Sequence, residues 1–232
     1  MGKKLTEIQE LIESSNNRFL DYLQENVDKE VLHLLNEIKK LSPVLIFSGI
    51  IRNFFLGINE IRDVDVVLYK KIEIESIFNK YKIVKNSFGG YKIFINDNKI
   101  DLWFIKETWA FQHQKTLDFD LERIIPSTSF FNFSSICYSL TENKFFYTNH
   151  FVKFLRDKKI DVVFKPNFNY TLCIVNSLYY SKKYNLELAE DLKEYIKYIN
   201  KFDSKNYIDV QINHFGKILF TEEEIIEFIN SV

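Results

Sequence analysis

Apolar residues recur at helical spacing through residues 5–40: Ile8, Leu11 and Ile12, then Phe19, Leu20 and Leu23, then Val31, Leu32, Leu34, Leu35 and Ile38. Residues three and four apart share one helix face, so this spacing predicts two amphipathic helices, broken near residues 14–17 or 26–29. At Pro43 the period changes. Residues 44–68, VLIFSGIIRNFFLGINEIRDVDVVL, read as a strand, a small-residue turn at Ser48-Gly49, a short amphipathic helix closed by Leu56-Gly57, and a second strand. Residues 72–81 return to helical spacing. Residues 82–95 read as a hairpin turning at Phe88-Gly89-Gly90, 96–98 as a turn and 99–105 as a further strand. Beyond these, 106–115 predict a short helix containing Trp109, 118–127 a loop, FFNFSSICYSL (130–140) a buried segment and KFFYT a short strand. After residue 150 the pattern is helical, with one or two helices over 167–201. Near the end, Thr221 and Glu224 have the spacing of a capping box. The pattern describes an α+β chain: a small mixed β-sheet with flanking helices over residues 1–150, followed by a helical region over 151–232.

The candidate chemistry lies in the second strand. Residues two apart in a strand point to one face, so Asp63 and Asp65 project together while Val64 and Val66 face a core. Two carboxylates held side by side repel unless a cation sits between them, and oxygen-only ligands suit Mg²⁺. Upstream, Ser48 and Gly49 offer backbone N–H groups at a helix N-terminus, where phosphate binds well; the same pair also makes an ordinary strand-to-helix turn. Arg52, one turn further on, either pairs with phosphate or forms a structural ion pair with Glu60 or Asp63. In KIDLWFI, alternation puts Asp101 and Trp103 on one face and Ile100, Leu102 and Phe104 on the other. A lone Asp among apolar neighbours is costly unless partnered. These parts together imply metal-assisted nucleotidyl transfer. Arg62 is expected on the opposite face from Asp63, and Trp109, Phe130, Phe131 and Tyr138 in the core.

Composition narrows the class. With 232 residues, a 46% hydrophobic share, 23 Phe and 13 Tyr, the chain can bury a sizeable core. Its net charge of −1 argues against a protein that coats nucleic acid, although Lys153, Arg156, Lys158 and Lys159 form a local basic patch. Cys137 and Cys173 sit in apolar surroundings without CxxC spacing and read as reduced core residues of a cytoplasmic protein. No apolar run reaches transmembrane length, so no membrane partner is expected. The start, MGKKLTEIQELIESS, lacks a signal-peptide hydrophobic region; its MGxxxT pattern, matching a myristoylation site, runs straight into a helix.

The order and spacing of six elements carry a family resemblance. Ser48-Gly49, Arg52-Asn53, Leu56-Gly57, Asp63-x-Asp65, Phe88-Gly89-Gly90 and Asp101 resemble the pattern GG-x-x-RD-x-x-LG, then DxD, a glycine hairpin and a third acid on a strand. That pattern belongs to the head domain of polymerase-β-like nucleotidyltransferases, in particular bacterial class II CCA-adding enzymes and poly(A) polymerases. Residues 131–138, FNFSSICY, are similar to the family segment FTINAMAY, and 172–188 resemble its neck helix. Three places depart. Asn53 stands for an Asp, Thr128-Ser129-Phe130 for an Arg-Arg-Asp element, and Asn176 and Tyr179 near neck arginines.

The resemblance implies a Mg²⁺-dependent transferase that moves a nucleotide from a nucleoside triphosphate to a hydroxyl acceptor, such as the 3′ end of tRNA or another RNA. Asp63, Asp65 and Asp101 would hold the metal and carry the chemistry. Ser48, Gly49 and Arg52 would bind the nucleotide phosphates. Two other readings fit the same residues: a catalytically degenerate nucleotide- or RNA-binding module, and a toxin- or defence-type transferase acting on a protein or small molecule.

Overall fold

The computed structural model describes residues 4–61, 63–85, 89–113, 121–166, 169–202 and 206–232, with the side chains of 121–123 excepted. Arg62, Phe88 and residues 118–120 of the expected loop therefore lie outside the described residues. The chain divides into two compact units, Met1–Ser129 with Phe133–Arg156, and Phe130–Asn132 with Asp157–Val232.

The first unit opens with three helices rather than two, α1 (Leu5–Ser14), α2 (Asn16–Asn26) and α3 (Lys29–Lys39). Both candidate breaks are used. At the first, the Ser15 hydroxyl donates to the Leu11 carbonyl at 2.6 Å, a local bond that competes with helix continuation. At the second, the Asp28 carboxylate caps α3 by accepting from the amides of Glu30 and Val31.

The sheet comprises β1 (Val44–Phe47), β2 (Val64–Leu68), β3 (Lys82–Lys85), β4 (Tyr91–Ile95), β5 (Asn98–Phe104), β6 (Ile136–Ser139) and β7 (Lys144–Tyr147). Its order is β3-β4-β5-β2-β1-β6-β7. Every neighbouring pair is antiparallel except β2 with β5, which run parallel. Four more helices complete the unit: α4 (Gly49–Leu56), α5 (Ile74–Ile77), α6 (Trp109–His113) and α7 (Leu121–Ser127), with α8 (Asn149–Asp157) at its end. Two expectations shift here. The helix expected over 72–81 is a single turn, because Ile74 and Phe78, four apart, are its only buried anchors. Residues 121–127, expected as loop, are helical. Ile124 and Ile125 are buried, and Pro126 stands inside the helix rather than ending it before it starts.

Cross-strand register sorts the sheet into two faces. Ile46, Val66, Leu102 and Tyr138 line up on one. There Phe19 of α2, fully buried, packs its ring 4.8 Å from Tyr138, 5.1 Å from Phe145 and 5.2 Å from Phe54 of α4. On the other face Leu45, Val67 and Cys137 form a smaller cluster with Ile105 and Ile125. The rest of that face, over β2 and β5, carries the acids.

A polar tie holds α3 to the β3 side of the sheet. The Glu30 carboxylate accepts from Lys80 Nζ at 2.8 Å, from the Tyr81 hydroxyl, and from Asn96 Nδ2 at 3.3 Å. The Lys80 bond, followed by that from Tyr81, lowers its pKa from 4.5 to about 2. A carboxyl depressed on folding contributes stability above its unfolded pKa and loses it as pH falls through the folded one. Urea titrations between pH 4.5 and pH 2 should therefore show a steeper loss of stability in the wild type than in Glu30→Gln. Equal slopes would show that this tie adds nothing to folding.

In the second unit, β8 (Lys159–Ile160) pairs in parallel with β9 (Glu187–Leu188), and α9 (Tyr170–Tyr184), α10 (Glu190–Ile199), α11 (Tyr207–Phe215) and α12 (Glu222–Ser231) follow the helical pattern. Asn132 joins this unit by donating its side-chain amide to the Lys159 carbonyl at 2.9 Å. The capping box forms as the spacing predicts: the Thr221 amide donates to Glu224 Oε2 at 2.9 Å, and the Glu224 amide donates to Thr221 Oγ1 at 3.2 Å. Among the described residues, no helix is long and apolar enough to cross a membrane.

Candidate active site

The acids meet through backbone register. Asp65 stands opposite Asp101 in the parallel β2–β5 pair and opposite Phe47 in the antiparallel β1–β2 pair. Neighbouring strands lie about 4.8 Å apart, and residues in register point to one face, so Asp65 and Asp101 project side by side. Two residues back along the same register, Asp63 falls beside Lys99, and its Oδ2 lies 3.3 Å from Lys99 Nζ. Asp101 is buried at 7% exposure, whereas Asp63 and Asp65 are half-buried. Burial raises the Asp101 pKa; the Lys92 charge pulls it back, and the Asp63 charge pushes it up again. Asp63 and Asp101 thus share one electrostatic environment.

The Ser48-Gly49 bend lies at the same end of the sheet. Since Phe47 pairs with Asp65, the next residue of the bend is level with Val64. Ser48 adopts φ 64° and ψ −118°, a left-handed conformation unfavourable for a side chain other than glycine. Its hydroxyl lies 3.3 Å from that of Ser134. Both bend residues are half-buried rather than sealed beneath packed side chains. The first amides of α4 point out of the helix end, as they do in any helix, and Gly57, at φ 69°, closes the other end as expected.

Arg52 is 6% exposed. Its guanidinium lies over the Phe133 ring at 5.1 Å and folds back toward the bend, with Nη2 3.4 Å from where a Gly49 Cβ would stand. Its Nε donates to Asn53 Oδ1 at 3.3 Å, and Asn53 Nδ2 donates to the Glu60 carbonyl at 2.6 Å. Asn53 therefore ties Arg52 to the loop that leads into the acids.

Four residues of this face escape a reading of sequence alone. Lys99 shares the alternation of Asp101 and Trp103 in KIDLWFI, so period two could have placed it there. Lys92 is the cross-strand partner of Asp101, with Nζ 3.7 Å from Asp101 Oδ1; only the hairpin register reveals it. Phe133 and Ser134 come from a distant segment and carry no local signal. Lysines engage Asp101 and Asp63, and among the described residues no group of three or more His, Cys, Asp or Glu is arranged to hold a metal ion. The donor chemistry itself, hard carboxylate oxygens crowded in partial burial, fits a divalent cation.

The hairpin presses on this face through Gly90. A Cβ there would stand 2.4 Å from Trp103 Cδ1 and 2.7 Å from the Leu102 carbonyl oxygen. Gly90→Ala should therefore displace the indole and destabilise the protein by about 1–3 kcal/mol, the usual range for overpacking, with a shift in tryptophan emission. An unchanged melting curve and spectrum would contradict this packing. The remaining aromatics divide as follows. Tyr138 and Phe131 are buried, Trp109 stacks on His113 at 4.8 Å, and Phe130 packs edge-on to Phe131 at 4.5 Å. In α9, Asn176 Oδ1 is buried with no hydrogen-bond partner among the described residues, and Tyr179 packs on Phe215 at 4.9 Å.

Comparison with solved structures gives the fold a precedent. The chain resembles a CCA-adding enzyme in complex with ATP, with TM-score 0.67 and 16% identity over 91% of this chain and 53% of that one. It resembles the Thermotoga maritima CCA-adding enzyme complexed with tRNA, with TM-score 0.63 and 16% identity over 91% and 53%. A tRNA nucleotidyltransferase complexed with a primer tRNA and an incoming ATP analogue aligns with TM-score 0.60 and 16% identity over 84% and 59%. The chain spans about half the length of the structures it matches. No family model matches the sequence, and no curated protein matches it. The chain shares its fold with the solved CCA-adding enzymes and tRNA nucleotidyltransferases over that part of their length.

Proposed function

We propose that this chain is a Mg²⁺-dependent nucleotidyltransferase. It moves a nucleotide from a nucleoside triphosphate to a hydroxyl acceptor, and the solved structures of like fold, bound to ATP, CTP or tRNA, favour the 3′ end of tRNA as that acceptor. The observation that carries the reading is the register of Asp65 with Asp101, at the end of the sheet where the Ser48-Gly49 bend opens α4.

In this reading Asp63, Asp65 and Asp101 would hold the metal. The metal, when bound, polarises the phosphoryl oxygens and lowers the pKa of the attacking hydroxyl. The amides of the bend and the Ser48 hydroxyl hold the β- and γ-phosphates, and the strained Ser48 backbone points them there. Arg52, fixed by Phe133 and Asn53, directs its positive charge at the bend and stabilises pyrophosphate as it leaves. Asp101, on the acid face, orients the acceptor hydroxyl. The first unit serves as the catalytic head and the helical second unit as a neck-like support.

One observation favours a second reading, a nucleotide-binding module without transfer activity: lysines contact Asp101 and Asp63. Incubation with each α-labelled triphosphate, Mg²⁺ and total tRNA separates the two. Label in tRNA that depends on Mg²⁺ supports the transferase. A thermal shift with triphosphate, without label in RNA, protein or small-molecule acceptors, supports the binding module instead.

A further inference from the structure

We propose that Lys99 and Lys92 are resident counter-cations of the acidic centre, which a divalent metal must displace in order to bind. This rests on the reading of Asp63, Asp65 and Asp101 as metal ligands.

The two lysines are not chance surface neighbours. Lys99 lies on β5 two residues before Asp101, hence on the same face, and its Nζ is 3.3 Å from Asp63 Oδ2. Lys92 on β4 is the register partner of Asp101, with Nζ 3.7 Å from Oδ1. Strand pairing therefore delivers both ammonium groups to the carboxylates. Their side chains are 25% and 34% exposed, and those of the acids 16% and 11%, so these pairs are partly shielded from water. Such pairs are stronger than the fully solvated kind, which are worth little.

Charge decides the rest. The two ammonium groups already offset part of the charge of the clustered carboxylates without metal. A dication placed there while both lysines stay would meet two like charges within a few ångströms. Metal binding is therefore an exchange, and its affinity is set by the difference between dication and ammonium at the same oxygens. A triphosphate that arrives with its metal offers the released lysines new anionic partners, so the exchange favours loading metal and nucleotide together over loading metal alone.

Titration with Mn²⁺, read by electron paramagnetic resonance on the full chain without nucleotide, tests this. Lys99→Met keeps the length of the stem and removes the charge. It should bind Mn²⁺ about tenfold more tightly than wild type, given the strength of like-charge repulsion at short range. Lys99→Arg should stay near wild type. Without metal, Lys99→Met should melt lower and recover more on adding Mn²⁺. Should it fail to fold, Lys92→Met carries the same expectation. Equal Mn²⁺ affinity in wild type and both methionine variants, with weaker binding in Asp65→Asn, would overturn the counter-cation role while leaving the metal site standing. No Mn²⁺ binding in any variant would remove the metal reading and this proposal with it.

Discussion

Replacing Asp65 with asparagine is expected to lower nucleotidyl transfer by about 10³-fold or more while leaving the melting temperature at or above that of the wild type. A metal contributes several kcal/mol of transition-state stabilisation, and each 1.36 kcal/mol is about tenfold in rate. Asp65 is the central acid, flanked in register by Phe47 and Asp101, so no neighbour can take its place. The fold should not suffer, because the change removes a charge from a crowded set. Asp65 stands beside the buried Asp101, whose pKa burial already raises, so an amide there removes one of two adjacent carboxylate charges. Steady-state rates and a thermal melt on the same sample check both halves. Full activity would remove Asp65 from the metal site, and a collapsed melt would make it a structural residue.

Phe19→Ala should have the largest effect on stability, about 3–5 kcal/mol by the usual cost of emptying a buried aromatic site. Phe19 is fully buried, and three rings, Phe54, Tyr138 and Phe145, stand between 4.8 and 5.2 Å from its own. They come from α4, β6 and β7, so the helix after the bend and the far edge of the sheet would loosen together. For a chain of 232 residues the melting temperature should fall by about 10 °C. A fall of only two or three degrees would show that neighbouring rings refill the cavity. The acids lie on the opposite face, so residual folded protein should keep a near-normal KM for triphosphate.

What the sequence made legible followed from short periods. Alternation in DVDVVL and KIDLWFI put Asp63 and Asp65 on one face of their segment and Asp101 on one face of its own, and Leu56-Gly57 marked the end of α4, where Gly57 takes its left-handed turn. Alternation does not say which strands are neighbours. The parallel pairing of β2 with β5, which sets Asp65 beside Asp101, is a long-range fact and became visible only in the sheet. The same holds for Lys92, which reaches Asp101 across a hairpin, and for Phe133 and Ser134, which approach Arg52 and Ser48 from about eighty residues away. Local rules also lost to burial. Pro126 and its neighbours read as loop, but two adjacent isoleucines bury themselves and carry the segment into a helix. The β8–β9 pair, two residues a strand, is too short to have a period at all.

The most direct measurement is a crystal structure with a non-hydrolysable triphosphate and Mn²⁺, read through the anomalous signal of manganese. A peak should stand within coordination distance of Asp65 and Asp101, with Lys99 turned away from Asp63 and the triphosphate tail over the Ser48-Gly49 bend. Manganese bound elsewhere, or a nucleotide held away from that bend with both lysines still on the acids, would contradict it.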